Sequence, residues 1–203
     1  MTNILLLTSS PRGPASISTK VATAVARRLL SSAPNSRLTV RDLADNPPPY
    51  IESTFVSALM TPAEQRSPVQ QARLALSEAL IAELMEADVL VIGAAMINKG
   101  VPAPLKSWVD HVSRQGVTFV NTPQGPQGLL TGKKAYVIAA QGAVYTQEPF
   151  LSLNYQDTYL RMILNCLGIV DVKTIVADGV AFGPDAPANV LAKAMTAVDA
   201  MTV

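Results

Sequence analysis

Residues Ile4-Leu5-Leu6-Leu7 form an unbroken aliphatic run that halts at Thr8-Ser9-Ser10-Pro11-Arg12-Gly13-Pro14 and yields to Val21, Val25 and Leu29 at helical spacing. A run without polar alternation is the pattern of a strand buried on both faces, so the chain must place a layer on each side of it. The Ser, Pro and Gly residues that follow suit a turn, and Ser16, Ser18 and Thr19 are residue types that cap a helix. The loop leaving this strand therefore enters a helix N-terminus directly, where unpaired N–H groups and the positive end of the helix dipole favour a phosphate. Hydroxyls of Ser10, Ser16 and Ser18 add donors and Arg12 adds a charge. Taken alone, the segment is equally a serine-rich turn with ordinary capping and a solvated Arg12. With Gly13 as its single glycine and no Gly-Lys-Ser/Thr, it is neither a dinucleotide fingerprint nor a Walker loop.

Further along, Ser36 to Asp42 reads as a second, more peripheral strand. Asn46 to Pro68 loses periodicity, carries Pro47, Pro48, Pro49, Pro62 and Pro68, and suggests a long excursion with a short helix near Phe55 to Met60. Excursions of this length are usually functional or mobile, and this one is expected to cover part of a site. Gln70 to Glu86 returns to helical period through Leu76, Leu80 and Leu84. Val89-Leu90-Val91-Ile92 is the most apolar strand and belongs near the sheet centre. A helix from about Pro104 to Arg114 follows, then a hairpin pairing Val117 to Val120 with Gly128 to Leu130. Lys134 to Ala140 is a fourth strand, and Val172 to Ala177 a fifth. A helix with Tyr155, Tyr159, Met162, Ile163 and Cys166 lies between these two, and Ala188 to Met201 is the last helix.

Five strands alternating with helices predict an α/β fold of three layers, helices covering both faces of a five-stranded parallel sheet. In the order 2-1-3-4-5, the loops after strands one, three and four lie side by side at the carboxyl edge, where such sheets bind ligands. Those loops are Ser9 to Ser18, Ala95 to Gly100 and Ala140 to Tyr145.

Composition removes several alternatives. A net charge of +1 with scattered Lys and Arg gives no basic stripe for nucleic acid. No apolar run approaches the roughly 18 residues of a membrane span, and the first residues carry no basic secretory region. One cysteine, Cys166, suits a reducing cytoplasm. One His and one Cys leave no tetrahedral zinc set. Ser9 and Ser10 have neither a nucleophile-elbow context nor a His partner, which sets a hydrolase aside.

The chain resembles the FMN-dependent NADH-azoreductases of the flavodoxin-like quinone reductase group almost end to end. The resemblance runs from the first strand through Thr39 to Leu43, Leu76 to Leu84, Gly116-Val117-Thr118-Phe119, Gly125 to Leu129, Thr131-Gly132-Lys133-Lys134-Ala135 and Gly183-Pro184. It implies a single flavodoxin-like FMN-binding domain over residues 1–203. The first loop, with Ser10, Ser16, Ile17 and Ser18, would hold the FMN phosphate. The second loop, usually Met-Tyr-Asn-Phe, stands here as Met96-Ile97-Asn98-Lys99, and the third, usually Ser-Arg-Gly-Gly, as Ala140-Gln141-Gly142-Ala143. Both would flank the flavin ring through main-chain N–H and C=O groups.

The departures fall in the slot above that ring. Ile97 and Lys99 replace aromatic walls, Asn121 stands where relatives have Tyr, and Ile163 where they have Phe. An aromatic-poor slot stacks flat dyes less well, and Lys99 would favour anionic or polar acceptors. The resemblance implies a homodimer whose sites are each completed by the other subunit. It also implies a ping-pong cycle in which NADH or NADPH reduces FMN and a quinone, azo or nitro compound then accepts two electrons, with no catalytic side chain and no metal. A flavodoxin-like electron carrier without NADH turnover is the alternative, although such carriers are strongly acidic. Loss of flavin binding, signalled by the replaced aromatics, is a third reading.

Trp108, Tyr155, Tyr159 and the residues around Met162 fit either core packing or a subunit interface. His111 is expected to be a solvated, helix-surface imidazole, and Cys166 a buried small hydrophobe.

Overall fold

The aliphatic run at Ile4 to Leu7 is the heart of a strand with both faces covered. The computed structural model describes residues 1–202. In chain order its elements are β1 (Asn3–Thr8), α1 (Ile17–Ser32), β2 (Arg37–Asp42), α2 (Ser53–Met60), α3 (Pro68–Glu86), β3 (Val89–Ala95), α4 (Ala103–Val112), β4 (Phe119–Thr122), β5 (Gly125–Gly128), β6 (Lys134–Ala140), α5 (Tyr155–Leu167), β7 (Asp171–Ala177) and α6 (Ala186–Asp199). Five parallel strands pair in the order β2-β1-β3-β6-β7. This is the order expected from the sequence, with the two hairpin strands intervening only in the numbering.

Alternation along each central strand feeds two cores. Ile4, Leu6, Val91, Tyr136 and Ile138 pack beneath α1 and α6, whereas Leu5, Leu7, Leu90, Ile92 and Val137 pack beneath α3, α4 and α5. Truncating one of these to Ala would forfeit about 2–5 kcal/mol. Of the described residues, no helix is long and apolar enough to cross a membrane.

Gly93 on β3 sets how closely α1 approaches the sheet. A Cβ there would lie 3.0 Å from the Ser18 carbonyl oxygen and 3.1 Å from the Ala22 Cβ. Its absence lets the first turn of α1 rest directly on β3. Ser9 Oγ donates to the Gly93 carbonyl at 2.9 Å, tying the loop after β1 to the same point.

The structure corrects several expectations. The hairpin comprises β4 and β5 around Pro123-Gln124, with Phe119 opposite Gly128, rather than 117–120 against 128–130. Its register is fixed by contact with α5: a Cβ on Gly128 would fall 1.9 Å from the Gly168 amide nitrogen. Of the two readings open for Trp108 the core one holds, with 1% exposure. On α5 the inward face is Gln156, Leu160, Leu164 and Leu167, so Tyr155 and Met162 point to solvent, Tyr159 and Ile163 lie at the core margin, and Cys166 is half-buried with Sγ 3.8 Å from the Met162 sulfur. His111 is not solvated. Only 2% exposed, it meets the ring of Phe55 edge-on, and its Nε2 lies 3.0 Å from the Pro49 carbonyl oxygen.

The Asn46 to Pro68 excursion is anchored there. Ser107 Oγ also donates to the Pro49 carbonyl, at 2.7 Å. The α2 helix within it is capped by Glu52, whose carboxylate accepts from the Thr54 and Phe55 amides at 3.0 Å each. Phe55 and Ala58 then pack on Leu74 of α3.

Candidate functional site

At the carboxyl edge of the sheet the loops after β1, β3, β6 and β7 enclose a cavity of about 380 Å³, within the usual range for small-molecule sites. The loop after β1 brings Ser10, Pro11, Arg12, Ser16 and Ile17 to its wall, the loop after β3 Met96 and Ile97, and the loop after β6 Gln141 and Gly142 beside Ala140. Val180, Ala181 and Pro187 complete it. Among the described residues Arg12 is the one charged side chain in this wall.

The β1 loop turns through a 3-10 segment at Gly13–Ala15, with the Gly13 amide on the Ser10 carbonyl at 2.9 Å and the Ser16 amide on the Gly13 carbonyl at 3.1 Å. It delivers Ser16 as the N-cap of α1. No side chain caps that helix and no acidic residue lies in its first turn. Its first N–H groups and the positive end of its dipole are thus left to whatever enters from the cavity. Ser16 Oγ lies 2.9 Å from Ser18 Oγ, and Ser18 is fully buried. Ser18 therefore orients the hydroxyl of Ser16, which reaches the wall.

The loops after β6 and β7 are laced together. Carbonyls of Gln141, Gly142 and Ala143 accept from the amides of Val180, Ala181 and Gly179 at 3.1, 2.9 and 3.3 Å. Among the described residues the N–H groups of Gly142 and Ala143 have no partner within the chain. Donors, not acceptors, are what this segment offers a ligand. Beneath it, Gln141 Nε2 donates to Asn154 Oδ1 and Gln156 Oε1 at 3.2 Å each, and Gln156 Nε2 to the Ala94 carbonyl at 3.0 Å. This buried network pins the loop onto the end of β3 and the start of α5.

Eight of the twelve residues expected to hold the cofactor share the cavity wall: Ser10, Ser16, Ile17, Met96, Ile97, Ala140, Gln141 and Gly142. Ser18 stands behind Ser16, Ala143 continues past Gly142, and Asn98 and Lys99 form the tip of the β3 loop. Neither Asn121 nor Ile163 is on the wall of this cavity. Asn121 lies on the hairpin, its amide donating to Gln115 Oε1 at 3.2 Å, and Ile163 packs against the core under α5. The excursion contributes nothing to the wall either. Sequence reasoning missed Val180, Ala181 and Pro187. Asp178-Gly179 and Gly183-Pro184, turn signals straight after the fifth strand, mark that loop as one more segment at the ligand-binding edge.

Comparison with known proteins agrees with this architecture. The family model described as flavodoxin-like fold matches residues 2–201. The FMN-dependent NADH:quinone oxidoreductase of Mesorhizobium japonicum is 43% identical over 199 residues, covering 98% of this chain and 95% of that protein. A protein of the same name in Rhizobium etli is 45% identical over 98% of this chain and 97% of its own. The crystal structure of an FMN-dependent NADH-azoreductase from Bacillus anthracis in complex with FMN superposes with a TM-score of 0.89 at 26% identity, covering 98% and 96% of the two chains. With near-complete coverage at such identity, and with the loops at the carboxyl edge built as described, this chain belongs to the flavodoxin-like fold family and, within it, to the FMN-dependent NADH:quinone oxidoreductases.

Proposed function

We propose that the chain is an FMN-dependent NAD(P)H oxidoreductase that reduces quinones, azo compounds and nitro compounds by two-electron transfer in a ping-pong cycle. The observation that carries the reading is the uncapped N-terminus of α1, opening with Ser16 and Arg12 onto a cavity at the carboxyl edge of the sheet. The residues fit FMN. Ser10, Ser16, Ile17 and Ser18, with the first amides of α1, suit its phosphate, and Met96 to Lys99 and Ala140 to Ala143 suit the two sides of its ring.

When bound, FMN supplies the redox chemistry between nicotinamide and acceptor. The chain's part is to bind and orient. The free N–H groups of Gly142 and Ala143 are placed to stabilise negative charge that develops on the ligand at that edge. Ile97, Ala181 and Met96 give an apolar wall that excludes water. Donor and acceptor take the same position in turn.

The proposal treats residues 1–203 as one flavodoxin-like domain that works in the cytoplasm as a homodimer. Tyr155, Met162 and Leu151 support the dimer as an exposed apolar face on and before α5. A second copy seated there is the route by which Asn121 and Ile163 reach a slot. The test is an anaerobic NADH titration of FMN-reconstituted protein, run in parallel with NADPH. Bleaching of the flavin band near stoichiometric nicotinamide is the expected result. A bound flavin that stays yellow with both donors indicates a carrier, and a protein that binds no FMN overturns the reading.

A further inference from the structure

Lys99 occupies the tip of the β3 loop in a fixed posture. Ile97 and Gly100 exchange both backbone hydrogen bonds, at 3.1 and 3.0 Å, so Asn98 and Lys99 are the central pair of a two-residue turn. Both have positive φ, 47° and 72°, the geometry of the tightest hairpin turns. This sets the direction in which the Lys99 side chain leaves the backbone. It crosses to the β6 loop, where Nζ donates to the hydroxyl of Tyr145 and stands 4.5 Å from the centre of its ring. Tyr145 is itself buried, with 7% exposure. Loops from adjacent strands thus meet at an ammonium. Ile97 and Gly142, two and three residues back along the two loops, line the cavity.

That charge is uncompensated. Among the described residues no carboxylate lies within ion-pair distance of Lys99. The acidic residues of the neighbouring loops are Glu148 and Asp178; Asp178 accepts from Thr146 Oγ1 at 3.1 Å, and neither pairs with Lys99. An ammonium has three donors and spends one on Tyr145. The phenol ring shields one side of it from water and adds a cation–π attraction. Two N–H groups remain for an anion. The nearby wall, made of Met96, Ile97 and Gly142, carries no charge with which to read a substituent.

We propose that Lys99, held in place by Tyr145, determines acceptor specificity by selecting quinones whose ring system carries a carboxylate or sulfonate. The proposal rests on the reading of the cavity as the redox site.

The experiment compares 1,2-naphthoquinone-4-sulfonate with 1,2-naphthoquinone as acceptors for wild-type, Lys99→Met and Lys99→Arg holoenzymes, with FMN content measured for each. Wild type is expected to favour the sulfonate in kcat/KM. In Lys99→Met that preference falls about fivefold, the scale of one partly shielded ion pair, and the change lies in KM. Lys99→Arg restores it, and added salt weakens it in wild type. A readout without turnover accompanies this. The dissociation constant of naphthalene-2-sulfonate, from perturbation of the flavin spectrum in the absence of NADH, rises in Lys99→Met relative to that of 2-methoxynaphthalene. An unchanged preference, or parallel losses for both quinones, overturns the proposal while leaving the oxidoreductase reading intact. Failure of fully FMN-loaded wild type to reduce either quinone overturns both.

Discussion

Ser16 and Ser18 differ in kind although they are neighbours in one motif. Ser16 reaches the cavity, and Ser18, fully buried, holds its hydroxyl. Hydrogen bonds to a charged group are worth about 1.5–3 kcal/mol. Ser16→Ala is therefore expected to raise the FMN dissociation constant by on the order of 10- to 100-fold, measured by flavin fluorescence. Because Ser18 acts largely through Ser16, the double Ala variant should lose little more than Ser16→Ala alone, a non-additivity that two independent phosphate ligands would not show. Gly128 is the other residue with a sharp expectation. A methyl placed 1.9 Å from the Gly168 amide nitrogen cannot be relieved by rotating a side chain, since both partners are backbone. Gly128→Ala should cost about 3 kcal/mol or more, read as a fall in the urea midpoint. The serines stood out in the sequence because a buried strand, a turn and a helix start follow one another there, although hydroxyls in such a place also serve as ordinary caps. The Gly128 contact was not, because it joins positions far apart in the chain and leaves no periodic trace.

Elements were easier to read than their surroundings. The strands of the sheet and the helices followed from runs and periods of apolar residues, and even the short α2 showed through its proline-rich frame. The errors arose where tertiary contacts decide. His111 was expected at the surface because the sequence around it, Asp110 and Val112 on a helix, shows no partner motif. Yet it is the hinge pin of the excursion, facing Phe55 with its Nε2 on the Pro49 carbonyl beside Ser107. The hairpin strands lie nearer the turn than expected, Phe119–Thr122 against Gly125–Gly128, and Gly128 there meets Gly168, a contact that no local pattern reports. His111→Leu should leave the Pro49 carbonyl with Ser107 alone. A loss of about 1–3 kcal/mol follows, measured by denaturant unfolding. Faster proteolytic cleavage between Asn46 and Pro68 should accompany it, since this segment depends on few buried contacts.

For the molecule as a whole, alternating strands and helices gave the parallel sheet, and the order with strand one between two and three was the arrangement that brings three loops together at one edge. What the order did not disclose was the participation of the β7 loop, which reaches the cavity by lacing its amides onto the carbonyls of Gln141, Gly142 and Ala143. The wall of that cavity therefore draws on residues from Ser10 to Pro187. A nascent chain emerging from the ribosome can form β1, α1 and β3 early, but it owns no complete cofactor site until almost the last helix has been made. Cofactor binding consequently acts as a late checkpoint in biosynthesis. By mass action, a ligand that needs the whole wall stabilises the finished molecule and none of its partly built precursors.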